Sequence, residues 1–324
     1  MKPAALLLST AVMLTSAGVA RAEAPNVVVS IKPIHSLVAA IMQGVGEPRL
    51  IVQGAASPHT YALKPSNATA LQDANIVFWV GHGLETFLER PLEALGNKAK
   101  IVELEGAPGL QKLKAREGGA FEPHEDEHAT EAGADMAGGG NGHGHDAHEE
   151  GGFDTHLWLD PANAKAMAAA IEETLSAEDP SNAVTYEANL AALNANIDAL
   201  DREIRQTIAP VKDKPFIVFH DAYQYFEHRY SMRIVGSITV SPETMPGAAR
   251  ISEIRKKVAD LGATCVFAEP QFEPKLVDVV LEGTSARAGT LDPEAATLPE
   301  GPTLYLDLMR SIATSLRQCL SSAS

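Results

Sequence analysis

Short apolar runs rich in β-branched residues alternate along this chain with stretches of helical periodicity. In the first third, "NVVVSI" (26–31), "RLIVQG" (49–54), "NIVFWVG" (75–81) and "KIVEL" (100–104) have the length and composition of buried strands. Between them "HSLVAAIMQGV" and "ATALQDA" read as helices. Such alternation predicts a doubly wound parallel sheet. The last third repeats the plan, with strands expected in "FIVFH" (216–220), "RIVGSITV" (233–240), "ATCVFAEP" (263–270) and "RAGTLD" (287–292). Helices are expected in "ARISEIRKKVADLG" and "TLYLDLMRSIATSLRQCL". The fold class is therefore α/β, with two similar lobes.

A longer periodicity joins them. Tyr186, Leu190, Leu193, Ile197, Leu200, Ile204 and Ile208 recur at three- and four-residue steps until Pro210, and Asp179-Pro180 supplies an N-cap and first-turn pair. One amphipathic helix over 181–208 would span about 42 Å at 1.5 Å per residue. A helical connection is stiffer than loop crossovers, so small lobe movements are expected. The expected organisation is a leader over 1–22, an N-terminal lobe over 23–180, the connecting helix over 181–208 and a C-terminal lobe over 209–324. The leader rests on Lys2, the apolar run "AALLLSTAVMLTSAGVA" and the small-x-small site Ala20-Arg21-Ala22. No later apolar run is long enough to span a bilayer, so a periplasmic protein without membrane insertion is expected.

The N-terminal lobe carries an insertion, 115–153, that breaks both patterns. Its centre, "HEDEHATEAGADMAGGGNGHGHDAHEE", has no apolar periodicity and too little hydrophobic surface to offset the entropy of ordering it. Residues 117–154 hold eleven Asp and Glu and no Lys or Arg, and contribute most of the chain's net charge of -16. That balance excludes nucleic acid and anionic lipid as partners. Five histidines in such a tract, His124, His128, His143, His145 and His148, point to accessory, weak metal binding. A solvating acidic loop is the plainer alternative.

The two cysteines, Cys265 and Cys319, form an even pair in an exported chain and favour a disulfide, worth roughly 4 kcal/mol by loop entropy. They lack CxxC spacing for a metal site.

Outside the insertion six histidines remain, and three of them fall just beyond strand ends, where open α/β sheets hold their ligands. His59 follows "RLIVQG", His156 lies in "FDTHLWLDP", and His220 ends "FIVFH". Asp292, ending "RAGTLD", is a fourth such position. Three imidazoles with a carboxylate or water suit tetrahedral Zn²⁺. Ligands this far apart in sequence place the site in a cleft between the lobes. His35 and His228 sit on helical stretches and read as packing or surface residues, and His82 in "VGHGLE" is a candidate to line the cleft. Asp160 and Glu269 are candidates to orient ligand imidazoles.

"SPHTYALKPS", "DTHLWLDP", "VFHDAYQYFE", "ATCVFAEPQF" and "GTLDP" together resemble the periplasmic zinc-binding proteins of bacterial ABC importers, the ZnuA type among metal-binding solute-binding proteins. The resemblance runs from about residue 26 to Cys319. It implies two α/β lobes joined by one long rigid helix, one metal in the cleft, and delivery to an inner-membrane ABC permease by a monomeric, non-enzymatic carrier. It also implies His59, His156 and His220 as ligands, with zinc favoured over manganese by an imidazole at 220 where manganese-binding relatives carry Glu. Pro58 departs from those zinc-binding members that have Glu before the first ligand, which leaves Asp292 or a water as the fourth ligand. Some members carry a disulfide at the positions of Cys265 and Cys319, and many a His- and acid-rich insertion before the second ligand. A zinc hydrolase is the rival class, but no HExxH or GxSxG accompanies the histidines. A zinc buffer that serves no transporter is a second rival, and an importer of manganese or iron a third.

Overall fold

The computed structural model describes residues 24–95, 98–116, 121, 152–239, 246–260, 262, 264–273 and 275–321. The expected leader and the five insertion histidines lie outside the described residues. In the N-terminal lobe the chain runs β1 (Val27–Val29), α1 (Lys32–Ile41), β2 (Arg49–Leu50), α2 (Pro65–Gln72), β3 (Ile76–Trp79), α3 (Thr86–Leu95) and β4 (Lys100–Glu103). After the insertion come α4 (Pro161–Glu178) and α5 (Ala183–Ile208). The C-terminal lobe runs β5 (Phe216–Val218), α6 (Gln224–Tyr230), β6 (Ile234–Ser237), α7 (Ala248–Asp260), β7 (Cys265–Ala268), α8 (Lys275–Leu281), β8 (Arg287–Thr290) and α9 (Leu304–Ser321).

The strands form two parallel sheets, ordered β2-β1-β3-β4 and β6-β5-β7-β8. The two orders are the same topology. In each, the chain steps outward from its first strand and then returns to that strand's other side. The switch point, where such sheets hold ligands at the carboxyl ends of the strands, thus lies between β1 and β3 in one lobe and between β5 and β7 in the other.

Both faces of the C-terminal sheet are covered at its centre, which is why β5 and β7 are apolar at every position, whereas the edge strand β8 carries Arg287 and Thr290. Phe216 and Val218 of β5 point into the main core, whereas Ile217 faces a smaller cluster with Ile254 and Val258 of α7 and Val277 and Val280 of α8. This is the period-two alternation of a strand packed on both sides.

The predicted long helix is α5. Tyr186, Leu193, Ile197, Leu200, Ile204 and Ile208 are buried along one face, each worth roughly 1.5–3 kcal/mol relative to exposure. That face packs against α4, α1 and α9, so α5 joins the two lobes as a shared spine. Its start differs from expectation: Pro180–Asn182 form a single 3-10 turn ahead of Ala183, and Asp179 accepts from the Ser181, Asn182 and Tyr186 side chains instead of capping the helix. Every strand is shorter than its sequence run, β2 and β5 among them. β2 pairs only over Arg49–Leu50, although the amides of Ile51 and Val52 still reach Val29 and Ser30 of the neighbouring chain segment, and β5 pairs only over Phe216–Val218. Cys265 and Cys319 are disulfide-bonded, tying β7 to the last turns of α9. Gly289 of β8 lies under this link, where an added Cβ would come within 2.4 Å of the Phe267 ring. Among the described residues no helix is long and apolar enough to cross a membrane.

Candidate metal centre

His59 sits in a single 3-10 turn, Pro58–Thr60, in the connection after β2. Proline in the first position of such a turn brings a suitable fixed φ and needs no N–H partner. His156 precedes another 3-10 turn, Leu157–Leu159, immediately after the insertion. His220 follows β5 at the C-terminal lobe's switch point, and Glu269 follows the adjacent β7. The structure brings these three histidines together, one ring nitrogen from each lying within 4.8 Å of the others. His156 and His220 are buried, and His59 is partly buried.

The distances have a definite chemical meaning. His156 Nε2 is 3.4 Å from His59 Nε2 and 3.3 Å from His220 Nε2. In a tetrahedral site with Zn–N bonds of about 2.05 Å, ligand nitrogens stand about 3.3 Å apart. Two of the rings are held in place by carboxylates in the same way. Asp154 accepts from the backbone N–H of His156 at 3.0 Å and stands 2.8 Å from its Nδ1. Glu269 accepts from the backbone N–H of His220 at 3.3 Å and stands 2.7 Å from its Nδ1. An ionised carboxylate only accepts, so each Nδ1 carries the proton and each Nε2 presents a lone pair. Lone pairs converging on one point need a cation or a proton between them.

The electrostatics divide the histidines. Burial, reinforced by the neighbouring His156 and His220, holds the His59 pKa well below the ordinary histidine value. Burial also opposes the charged form of His220, but Glu269, joined by the charges of Asp221 and Asp154, outweighs it and the pKa is raised. His59 is therefore neutral at physiological pH, and His220 is the ring at which protons compete with a metal.

The other candidates fall elsewhere. Asp292 lies outside the cluster: Oδ1 accepts from Gln271 Nε2 at 3.0 Å and from the Glu294 N–H at 3.2 Å, and Oδ2 accepts from the Thr297 N–H at 3.3 Å. His82 is largely exposed, pairs with Glu89 at 3.1 Å and packs against Trp79, away from the three histidines. His35 is buried in α1 against the Pro48 carbonyl, and His228 is exposed on α6. Of the two carboxylates expected to orient ligands, Glu269 does so, whereas Asp160 caps α4 through the Ala162 N–H and leaves His156 to Asp154. The spacing Asp-Thr-His is the sequence signal for Asp154, because an Asp side chain readily bonds a backbone N–H two residues on.

The base of the insertion is closed beside this site. Ala115 donates to Gly152 and Asp154 to Leu113, each at 2.9 Å, around an antiparallel bridge between Lys114 and Phe153. The Tyr225 hydroxyl spans both strands of this neck, accepting from the Leu113 N–H and donating to the Asp154 carbonyl. Arg116 grips Asp221 and Glu227 of the other lobe.

Comparison with known proteins finds relatives along nearly the whole chain. The family described as "Zinc-uptake complex component A periplasmic" matches residues 27–319. The "High-affinity zinc uptake system protein ZnuA" of Brucella suis is 53% identical over 309 residues, covering 92% of each chain. A crystal structure of ZnuA superposes with a TM-score of 0.72 at 26% identity, covering 91% of this chain and 99% of that one. A ZnuA deletion mutant with zinc bound gives 0.71 at 25% identity, covering 93% of this chain and 100% of that one.

Proposed function

The chain belongs to the ZnuA family of periplasmic zinc-uptake components, and on that premise we propose that His59, His156 and His220 capture Zn²⁺ for delivery to an inner-membrane ABC permease. The family is one of periplasmic zinc-binding transport proteins and not of enzymes. The observation that carries the ligand assignment is the pair of Nε2 separations, 3.3 and 3.4 Å, with the far sides of two rings held by Asp154 and Glu269. Asp292 or a water completes the tetrahedron. For Asp292 to do so, the connection after β8 must carry its carboxylate toward the three histidines, and the bonds it accepts from Gln271 and the Glu294 and Thr297 amides hold it in its present place. The same proposal keeps the leader over 1–22, lobes over 23–180 and 209–324, and the connecting helix over 181–208.

We further propose that His124, His128, His143, His145 and His148 are an accessory, weaker zinc-capture site. Support comes from the neck, which tethers the insertion two residues from His156 and so holds its imidazoles at high effective concentration near the cleft. The zinc-bound ZnuA deletion mutant is compatible with such a division, in which part of a relative can be removed without abolishing zinc binding.

X-ray absorption on the zinc-loaded protein tests the ligand set. Three imidazoles and one oxygen at about 2.0 Å are expected; a shell with fewer than three imidazoles contradicts the assignment. For delivery, a strain lacking its own zinc-binding component should regain growth under chelation when given this chain, and should not when given His220→Ala.

A further inference from the structure

Lys32 opens α1 in the N-terminal lobe, yet only 6% of it is exposed. Helix formation does not explain a lysine there. The first turn of α1 contains no acidic residue, and a cation at a helix N-terminus opposes the macrodipole. Its ammonium instead reaches the other lobe, donating to the carbonyls of Ala295 at 3.1 Å, Ala296 at 2.9 Å and Leu298 at 3.2 Å. An ammonium has three donors, and all three are spent on one short stretch of backbone.

That stretch is the connection from β8 to α9, and it begins at Asp292. Trp158, two residues beyond His156, ties the same connection a second time by donating from Nε1 to the Pro293 carbonyl at 2.9 Å. Asp292 braces it from within through the Glu294 and Thr297 amides. At its centre Ala295 has φ 57°, a left-handed conformation that a residue with a Cβ keeps only where its surroundings impose it. A segment of the C-terminal lobe that meets Trp158, whose ring centroid lies 5.4 Å from that of His156, is thus fastened to the N-terminal lobe by Lys32.

We propose that Lys32 is a positioning residue that latches residues 292–298 across the two lobes and thereby sets the rate at which bound zinc is released. The proposal rests on the three histidines being the zinc site. With His59 and His156 on one side and His220 on the other, a bound ion leaves when the sides separate. Separation requires the connection after β8 to let go of the ammonium. Loosening the latch acts on release more than on capture, as most changes in affinity do.

The test is zinc release into excess chelator from the full chain, comparing wild type with Lys32→Met, which keeps the aliphatic stem and removes the donors. One zinc still binds, but release is faster by about tenfold, the scale of losing one charged hydrogen bond. Amide exchange at Thr297 and Leu298 rises in parallel, and Lys32→Arg, which restores charged donors, recovers part of both. A folded Lys32→Met with release and exchange within about twofold of wild type overturns the latch, because a difference that small is under about a third of one charged hydrogen bond. Should Lys32→Met not fold, zinc-dependent protection of the Thr297 and Leu298 amides in the wild type decides: protection supports the latch and its absence overturns it. Failure of the underlying reading looks different, because the wild type would then show no tight zinc binding sensitive to His59→Ala.

Discussion

Glu269 touches no metal position, yet it determines how His220 competes for protons. Because it raises the His220 pKa, protons begin to occupy that ring above the ordinary histidine range, and zinc affinity falls as pH drops from there. Glu269→Gln removes the raising charge, so the fall should begin at lower pH, while affinity at about pH 8 weakens roughly tenfold from loss of a charged orienting partner. Zinc titrations across pH check both, and an unchanged onset contradicts the role given to Glu269. Glu85 offers a separate test at the switch point of the N-terminal sheet, where it accepts from the Val80 and Gly81 amides. Burial pushes its pKa up to about 7 from the ordinary 4.5, so the folded state binds a proton that the unfolded state releases. The stability this contributes is full below the unfolded pKa and lost as pH rises through about 7. Relative to wild type, Glu85→Gln should therefore gain melting temperature at about pH 8 and lose that advantage at about pH 5; a pH-independent difference contradicts it.

The elements differ in how plainly the sequence announces them. β1, β3, β5 and β7 are central strands covered on both faces, so nearly every position is apolar and their runs stand out. β2 lies at a sheet edge, and its run "RLIVQG" leaves the ladder after two residues. α4 is hard to read from sequence for a physical reason: Ala164 and Ala168 share its buried face with Met167, Ile171 and Leu175, so the large residues alone give a sparse pattern. His59 and His220 are legible because they follow β2 and β5, and strand ends are where such sheets hold ligands, whereas His156 follows no strand and, like Asp154, sits at the seam of the insertion and takes its place from the closed neck. Whether Asp292 reaches the metal depends on how Gln271 and the connection after β8 hold it, which no spacing encodes. At this scale the link from β7 to α9 is testable. Replacing Cys265 and Cys319 together by Ala should cost roughly 2–4 kcal/mol of stability, seen as a lower melting temperature, with zinc stoichiometry retained. A melt unchanged by reduction of the wild type contradicts a stabilising disulfide.

For the molecule as a whole, two lobes of one topology are set on a shared helix so that the loop after β2, the turn after the insertion and the switch point between β5 and β7 meet. A site assembled from both lobes couples binding to folding, and zinc at about 100 times its Kd should stabilise the protein by roughly 2.7 kcal/mol. Thermal melts with and without zinc, in wild type and His156→Ala, should show that gain only in the former. The most direct measurement is a calorimetric zinc titration of metal-free protein, comparing wild type, a chain lacking residues 124–150 and His59→Ala. One tight event that survives removal of the insertion and disappears in His59→Ala is the predicted result. Tight binding that vanishes with the insertion and persists in His59→Ala would place the site in the acidic loop and contradict the three-histidine centre.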